Sequence, residues 1–199
     1  MRNSKFKKIE EKIGSLETGS VFAVADFLEF AQPKTVSKTL ERLAKAGRIE
    51  KVVRSIFWLP DGLNSSPDPE KVADALAREN NWNIIPSGET AIHIMGLSVK
   101  KPKKWTFITD GTYRKYRFGD KEISLQHISA GYYDRISKKT SLLIQVIKAY
   151  GRNTLDSNVV KTIRSKYNDS DIKRILQEVR HLPKRISGKV KNIFEGTTI

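Results

Sequence analysis

The sequence predicts an α+β protein with an N-terminal winged helix-turn-helix, followed by a mixed α+β domain that ends in a helical subdomain. Three observations carry this prediction. Short amphipathic helices alternate with β-prone runs at the N-terminus, a polar segment with prolines follows, and apolar residues recur at helical spacing in the last third. We place the domains at 1–62 and 63–199, the second comprising an α+β part at 63–130 and a basic helical part at 131–199.

The N-terminal domain contains signals for three short helices. Apolar residues at helical spacing predict the first helix within residues 5–16, and a β-prone run follows at 21–24. Residues 25–30 predict a second short helix. Pro33 suits the first turn of a third helix, which we expect to end at Gly47 because glycine readily adopts the left-handed conformation after a helix.

The third helix and the strands after it are the candidate DNA contact. Val36, Leu40 and Leu43 share one side of this helix, so its basic residues face outward. The run 48–60 predicts two strands joined by a tight turn, a wing that meets the DNA backbone while the helix lies in the major groove. We expect base edges to be contacted by Lys34, Thr35 and Lys38. We expect phosphates to be contacted by Arg42, Lys45 and Arg54. A three-helix module that touches no nucleic acid is the alternative.

The charge distribution favours a partner with dense negative charge. The chain has 37 Lys+Arg against 22 Asp+Glu, a net charge of +15. Residues 131–199 hold 15 of those cations and only 6 of the anions. Nucleic acid or an acidic protein surface would complement this excess, whereas charge that serves solubility alone is the alternative.

Several classes of protein are disfavoured by what the sequence lacks. There is no cysteine, so disulfides and cysteine-containing zinc sites are excluded, and we expect neither metal nor cofactor. The basic N-terminus is not followed by an apolar signal core, and no apolar run of about 18 residues occurs. We therefore expect a cytoplasmic protein that does not span a membrane.

No arrangement of residues makes a convincing catalytic site. Residues 14–20 have the glycine spacing of a phosphate-binding loop but lack its lysine. Asp169 and Asp171 could imitate paired metal-binding carboxylates, yet they better fit the start of a helix. Ser87 lacks the Gly-x-Ser-x-Gly context of a nucleophile. The three histidines fall in different predicted elements: His93, His127 and His181. We expect a binding protein without enzymatic activity or a small-molecule substrate; an enzyme acting on nucleic acid is the less favoured alternative.

The second domain follows a polar connector at 63–69, where we place the domain boundary. After one helix, residues 83–98 predict a strand, a turn and a helix, and strands are expected at 105–109 and 122–127. Three helical stripes follow from Lys138 onward. Basic residues of this domain are candidates for contact with a toxin or with nucleic acid: Tyr113, Arg114, Lys115, Arg117, Lys173 and Arg174. The sequence leaves open whether DNA, RNA or protein meets them.

Roughly residues 20–130 resemble the AbiEi-like antitoxins of type IV toxin–antitoxin modules, an abortive-infection family. The segments that carry the likeness are 39–49, 54–60, 86–91, 96–98 and 109–111. The wing of that family usually reads Arg-Gly-x-Tyr, where Ser55 and Phe57 stand here, and a glutamine is usual where Lys100 stands.

The resemblance implies a role in phage defence. It implies a transcriptional autorepressor that binds operator DNA through its winged helix and neutralises a separate nucleotidyltransferase-like toxin through its C-terminal domain. On this basis residues 1–62 alone should keep DNA binding, and residues 63–199 alone should keep antitoxicity. A DNA-binding regulator without a toxin partner is the alternative.

Overall fold

The protein is a mixed α+β structure with two sheets, in agreement with the predicted class. This computed structural model describes residues 2–63, 66–129, 131, 133–151 and 155–196. The chain divides into two compact units. The first comprises Met1–Ile84 and Lys115–Ile123, and the second comprises Ile85–Arg114 and Ser124–Ile199. No helix among the described residues is long and apolar enough to cross a membrane.

The first unit begins with helices and a three-stranded antiparallel sheet of order β1-β3-β2. Its elements are α1 (Arg2–Gly14), β1 (Val21–Ala23), a 3-10 helix (Val24–Phe27), α2 (Pro33–Lys45), β2 (Glu50–Val53), β3 (Ile56–Trp58) and α3 (Pro69–Asn80). The two strands predicted within 48–60 are present. The predicted β-prone run forms β1, and its antiparallel pairing with β3, which the sequence did not indicate, makes the sheet three-stranded.

The second predicted helix is present as a 3-10 helix with different bounds. It spans Val24–Phe27, whereas the sequence predicts a short helix over 25–30. The Asp26 side chain accepts a hydrogen bond from the Ala23 backbone nitrogen at 2.9 Å, which fixes this turn locally. Gln32 then has extended backbone, as expected before Pro33.

Helix α2 has the buried and exposed sides that its sequence predicts. Val36 and Leu40 are completely buried, and Leu43 is nearly so. They pack with apolar residues of α1, of the 3-10 helix and of β3: Ile9, Ile13, Phe27 and Phe57. Gly47 follows the helix with a φ of +70°, the left-handed conformation expected of it.

Helix α3 lies in the first compact unit, although residue 63 is the predicted start of the second domain. Asp68 caps it by accepting a hydrogen bond from the Glu70 nitrogen at 2.8 Å. Its buried residues are Pro69, Val72, Ala73, Ala75 and Leu76, on a helix that packs against β1, β3 and the 3-10 helix. The functional boundary at 62/63 stays a prediction, whereas the compact unit extends to Ile84.

The predicted connector at 63–69 includes Asn64 and Ser65, which lie outside the described residues. In its described part, Ser66 and Pro67 are buried. The Lys121 ammonium donates to the Ser66 and Pro67 carbonyls, at 3.4 and 3.0 Å. This part of the connector is therefore packed within the first unit.

The second sheet has the order β4-β5-β7-β6. Its strands are β4 (Ile84–Pro86), β5 (Trp105–Thr109), β6 (Arg114–Phe118) and β7 (Lys121–His127), with α4 (Gly88–Ile94) between the first two. The strand-turn-helix and the two strands predicted from sequence are confirmed. The basic cluster at 113–117 largely coincides with β6. The sequence did not predict a strand in this segment.

The C-terminal part is helical, as predicted. Its helices are α5 (Lys138–Tyr150), α6 (Ser157–Ser165), α7 (Asp169–Glu178) and α8 (Lys184–Glu195). A shared core includes Leu143, Ile163, Ile175, Val190 and Phe194. Helix α8 was not among the three predicted helical stripes. Its lysines and Gly188 make the segment resemble a basic tail, so the apolar positions that it buries were not recognised in the sequence.

Candidate nucleic-acid interface

The exposed face of α2 carries five of the six predicted DNA contacts. Lys34, Thr35, Lys38, Arg42 and Lys45 are all exposed, opposite the buried side of the helix. Lys34, Lys38 and Lys45 are separated by four and seven residues, so they follow one line along the helix surface. Helix α2 has 13 residues and is therefore about 20 Å long.

The lysines of this line have no acidic partner within the described part of the chain, in contrast to the cations beside them. Arg48 pairs with Glu10, and Lys51 pairs with Glu41 at 3.3 Å. Lys34, Lys38 and Lys45 make no such ion pair with a described residue. Their ammonium groups are thus free to meet an anion that is not part of this chain.

Arg42 is held by an aromatic ring. Its guanidinium carbon lies 4.1 Å from the centroid of the Phe6 ring on α1, within the range of a cation–π interaction. The sequence predicts Arg42 as a phosphate contact, but no local pattern connects it with Phe6, which lies on another helix. The contact restricts where the guanidinium can lie on the exposed face.

The sixth predicted contact, Arg54, lies in the two-residue turn between β2 and β3. Arg54 is exposed, and the next residue, Ser55, has a φ of +64°. Non-glycine residues adopt this conformation at a cost. The Ser55 carbonyl accepts a hydrogen bond from the Val24 nitrogen at 3.0 Å, so the turn is tied to the 3-10 helix that precedes α2.

Helix α3 anchors the same 3-10 helix from the other direction. The Arg78 guanidinium donates two hydrogen bonds to the Asp26 carboxylate, at 2.7 and 2.9 Å. The Glu79 carboxylate accepts from the Ala25 nitrogen at 2.8 Å. Sequence reasoning missed these pairs because 52 and 54 residues separate the partners. The segment that leads into α2 is therefore held by side chains that the predicted N-terminal domain does not contain.

The candidate contacts at 113–117, of which all but Tyr113 lie on β6, differ in exposure and in their partners within the chain. Tyr113 is 58% exposed, and Lys115 is exposed as well. Arg117 donates to Glu122 at 2.8 Å, and Arg114 has an interaction within the chain. Lys115 is thus the cation of this cluster with the most freedom for another molecule.

The neighbouring candidates on α7, Lys173 and Arg174, also differ in whether they have a partner within the chain. Lys173 is exposed and makes no ion pair within the described residues. Arg174 donates to Glu178 at 2.8 Å, and the Glu178 carboxylate also accepts from the Ser137 nitrogen at 3.0 Å and from the Thr140 hydroxyl. Arg174 therefore belongs to a network that stabilises the fold.

The network also changes the acidity of Glu178. Burial opposes its ionisation, but the hydrogen bonds from Thr140, Ser137 and Arg174 outweigh that effect, so the pKa of Glu178 is lowered. The carboxylate stays charged and supplies the acceptor that the N-terminus of α5 needs.

The acidic pair considered for metal binding lies in the first turn of α7. The Asn168 side chain caps this helix by accepting from the Asp171 nitrogen at 2.8 Å. The hydrogen bond from the Lys139 ammonium, at 2.6 Å, lowers the pKa of Asp171. Within the described residues no group of three histidine or acidic residues could hold a metal ion. Asp169 and Asp171 thus lie in the first turn of α7, at the predicted start of a helix, while Asn168 is the cap.

The other residues considered for chemistry have local hydrogen bonds. His93 Nδ1 lies 3.0 Å from the Ser98 carbonyl, and His127 Nδ1 lies 2.6 Å from the Gly111 carbonyl. His181 is exposed in a 3-10 turn after α7. Ser87 precedes α4, is 7% exposed, and donates to the Thr106 carbonyl at 3.3 Å. Residues 14–20 form the end of α1 and the turn before β1.

The family model of DUF6088, a family of unknown function, matches residues 8–175 of this chain. The protein belongs to this family. The match to DUF6088 begins in α1 and ends in α7, so it covers α2, the β2–β3 turn and the whole second sheet. A search of curated proteins finds no match. Membership in DUF6088 assigns no activity, and a function has to be argued from the residues themselves.

Proposed function

We propose that this DUF6088 protein binds double-stranded DNA through α2 and the β2–β3 turn. The observation that carries the proposal is the line of exposed lysines on α2, Lys34, Lys38 and Lys45, which lack an acidic partner among the described residues. Unpaired cations at this spacing attract phosphates, and their binding releases the counterions that surround DNA.

The shape of the element supports the same conclusion. An α-helix fits the major groove, which is about 12 Å wide, and the residues near the start of such a helix reach base edges. Lys34 and Thr35 lie in the first turn of α2. The elements follow one another in the order α1, β1, 3-10 helix, α2, β2 and β3. This order is consistent with a winged helix in which the 3-10 helix replaces the second helix.

We further propose that the protein is an autorepressor and antitoxin whose C-terminal part binds a nucleotidyltransferase-like toxin. This part of the proposal rests on the resemblance to AbiEi-like antitoxins and on the excess of cations in residues 131–199, of which Lys173 is exposed and unpaired in the described chain. A regulator without a toxin would share the DNA-binding surface and lack the second activity.

The DNA-binding proposal is tested by fluorescence titration of the full-length protein on the DNA upstream of its own gene and on a scrambled duplex. Lys38→Ala should weaken binding by roughly 1–3 kcal/mol and reduce discrimination if Lys38 reads a base. Lys7→Ala, which removes the same charge from a lysine paired with Glu11 on α1, is the matched control and should change affinity less. If Lys38→Ala together with Arg42→Ala leaves the affinity unchanged, α2 is not the DNA contact.

The antitoxin proposal is tested by co-expression with the product of the neighbouring gene. Rescue of growth from a nucleotidyltransferase-like toxin would support it, and Lys173→Glu should reduce the rescue without lowering stability. If promoter binding is intact and neither rescue nor a complex is found, the protein is the toxin-free regulator.

A further inference from the structure

One acidic residue lies within the basic face of α2. Glu41 follows Lys38 by three residues and precedes Lys45 by four, so these side chains are neighbours on the helix surface. The Glu41 side chain is 48% exposed. The basic face of α2 therefore includes a carboxylate. A surface that contacted only phosphates would not be expected to have one.

The structure also shows what holds this carboxylate. The Lys51 ammonium on β2 donates to Glu41 Oε1 at 3.3 Å, and the Lys51 side chain is 47% exposed. Glu41 Oε2 accepts no hydrogen bond from a described residue. One oxygen is thus used within the protein, and the other remains available to a donor from outside.

A carboxylate in this position disfavours contact with phosphate, because the two negative charges repel each other. It becomes favourable only where the DNA presents a hydrogen-bond donor. In the major groove, the exocyclic amino group of cytosine is such a donor, and glutamate and aspartate are its usual acceptors. The lysines beside Glu41 can meet the flanking phosphates at the same time.

We infer that Glu41 determines sequence specificity by accepting a hydrogen bond from the N4 amino group of a cytosine, with Lys51 holding the carboxylate in place. The inference rests on the proposed binding of α2 to DNA. It adds to this face a residue that recognises a base by accepting a hydrogen bond, whereas the lysines beside it can only donate.

The test is a selection of duplexes from a randomised DNA pool by the full-length protein, followed by titration. The wild type should enrich sequences with an invariant cytosine, and changing that C·G pair to T·A should weaken binding about 5- to 150-fold. Glu41→Gln should lose this preference or shift it to adenine, the base that glutamine pairs with. Circular dichroism checks that the variant is folded.

Glu11→Gln is the matched control, since Glu11 is an exposed glutamate of the same unit that also pairs with one lysine, Lys7. It should keep the cytosine preference and bind all duplexes slightly more tightly. Enrichment of the same sequences by the wild type and Glu41→Gln would overturn the inference and leave DNA binding intact. Failure of the wild type to bind any duplex would refute the DNA-binding proposal and the inference together.

Discussion

Replacing Glu178 by alanine should destabilise the helical part of the protein. Ser137 is the N-cap of α5. In a capping box, the side chain at the third helical position accepts a hydrogen bond from the backbone nitrogen of the N-cap residue. That position is Thr140, which has no carboxylate. Glu178, 41 residues away on another helix, supplies the acceptor instead.

The expected loss follows from the donors that would lose the Glu178 carboxylate as their acceptor. The Ser137 nitrogen loses a cap interaction worth about 1 kcal/mol. Thr140 is completely buried, and its hydroxyl loses a bond to a charged acceptor, at about 1–3 kcal/mol. The total is about 2–4 kcal/mol, which in a chain of 199 residues lowers the melting temperature by about 5–15 °C. Arg174→Gln removes an ion pair in which the arginine is 67% exposed and Glu178 only 14%, leaves the other hydrogen bonds of Glu178 in place, and should cost less, about 0.5–1 kcal/mol.

The effect should also depend on pH. Because the pKa of Glu178 is lowered in the folded protein, its stabilisation is complete above the pKa of an unfolded glutamate, about 4.3, and is lost as the pH falls through the folded pKa. Thermal unfolding of the wild type and Glu178→Gln, followed by circular dichroism, should therefore differ most near neutral pH and converge in acid.

Two results would refute this reasoning. One is a melting temperature of Glu178→Ala within about 1 °C of the wild type at pH 7, since the lost hydrogen bonds would then carry no net stability. The other is a difference between wild type and Glu178→Gln that is the same at pH 7 and in acid. In that case the charge of the carboxylate would not be what stabilises α5.

Three further predictions concern the backbone and the extent of the first unit. Residues 1–62 expressed alone should be less stable than residues 1–84, because the shorter fragment lacks the buried Val72 and Leu76, each worth about 1.5–3 kcal/mol; equal denaturation midpoints would contradict the packing of α3. Ser55→Gly should stabilise the full chain by about 0.5–1 kcal/mol in urea unfolding, since glycine relieves the left-handed strain, and a loss of stability would contradict the positive φ. Gly188→Ala should stabilise α8 by a similar amount, because a Cβ there meets no atom within 4 Å; destabilisation would show a contact that the structure lacks.

The elements that the sequence predicts well are those whose signals are local. Helix α2 is one, because its apolar spacing, Pro33 at the start and Gly47 at the end all agree. Its outward face was predicted for the same reason. The short helix expected at 25–30 is instead a 3-10 helix at Val24–Phe27, whose start is capped by the hydrogen bond from the Ala23 nitrogen to Asp26. The chain then has to reach the non-helical backbone that Pro33 requires of Gln32.

The remaining features depend on partners that are distant in the sequence. No local pattern connects Asp26 with Arg78, or Ser137 with Glu178, and each pair forms only when separate elements pack. Arg174, by contrast, pairs within its own helix, with Glu178 four residues later, and this local pair is what distinguishes it from the exposed Lys173. Glu41 is the residue that closer attention to the helix surface could have found, because its spacing from Lys38 and Lys45 is visible in the chain.

The two compact units are interleaved along the chain, with changes from one unit to the other after residues 84, 114 and 123. During synthesis on a ribosome, the first unit cannot be completed until the segment Lys115–Ile123 has emerged, by which time part of the second unit has already been made. A protease that cuts once at any of these three positions would not release both units as intact fragments. Domain dissection, circular permutation and gene fusions for this protein therefore have to preserve three connections rather than one.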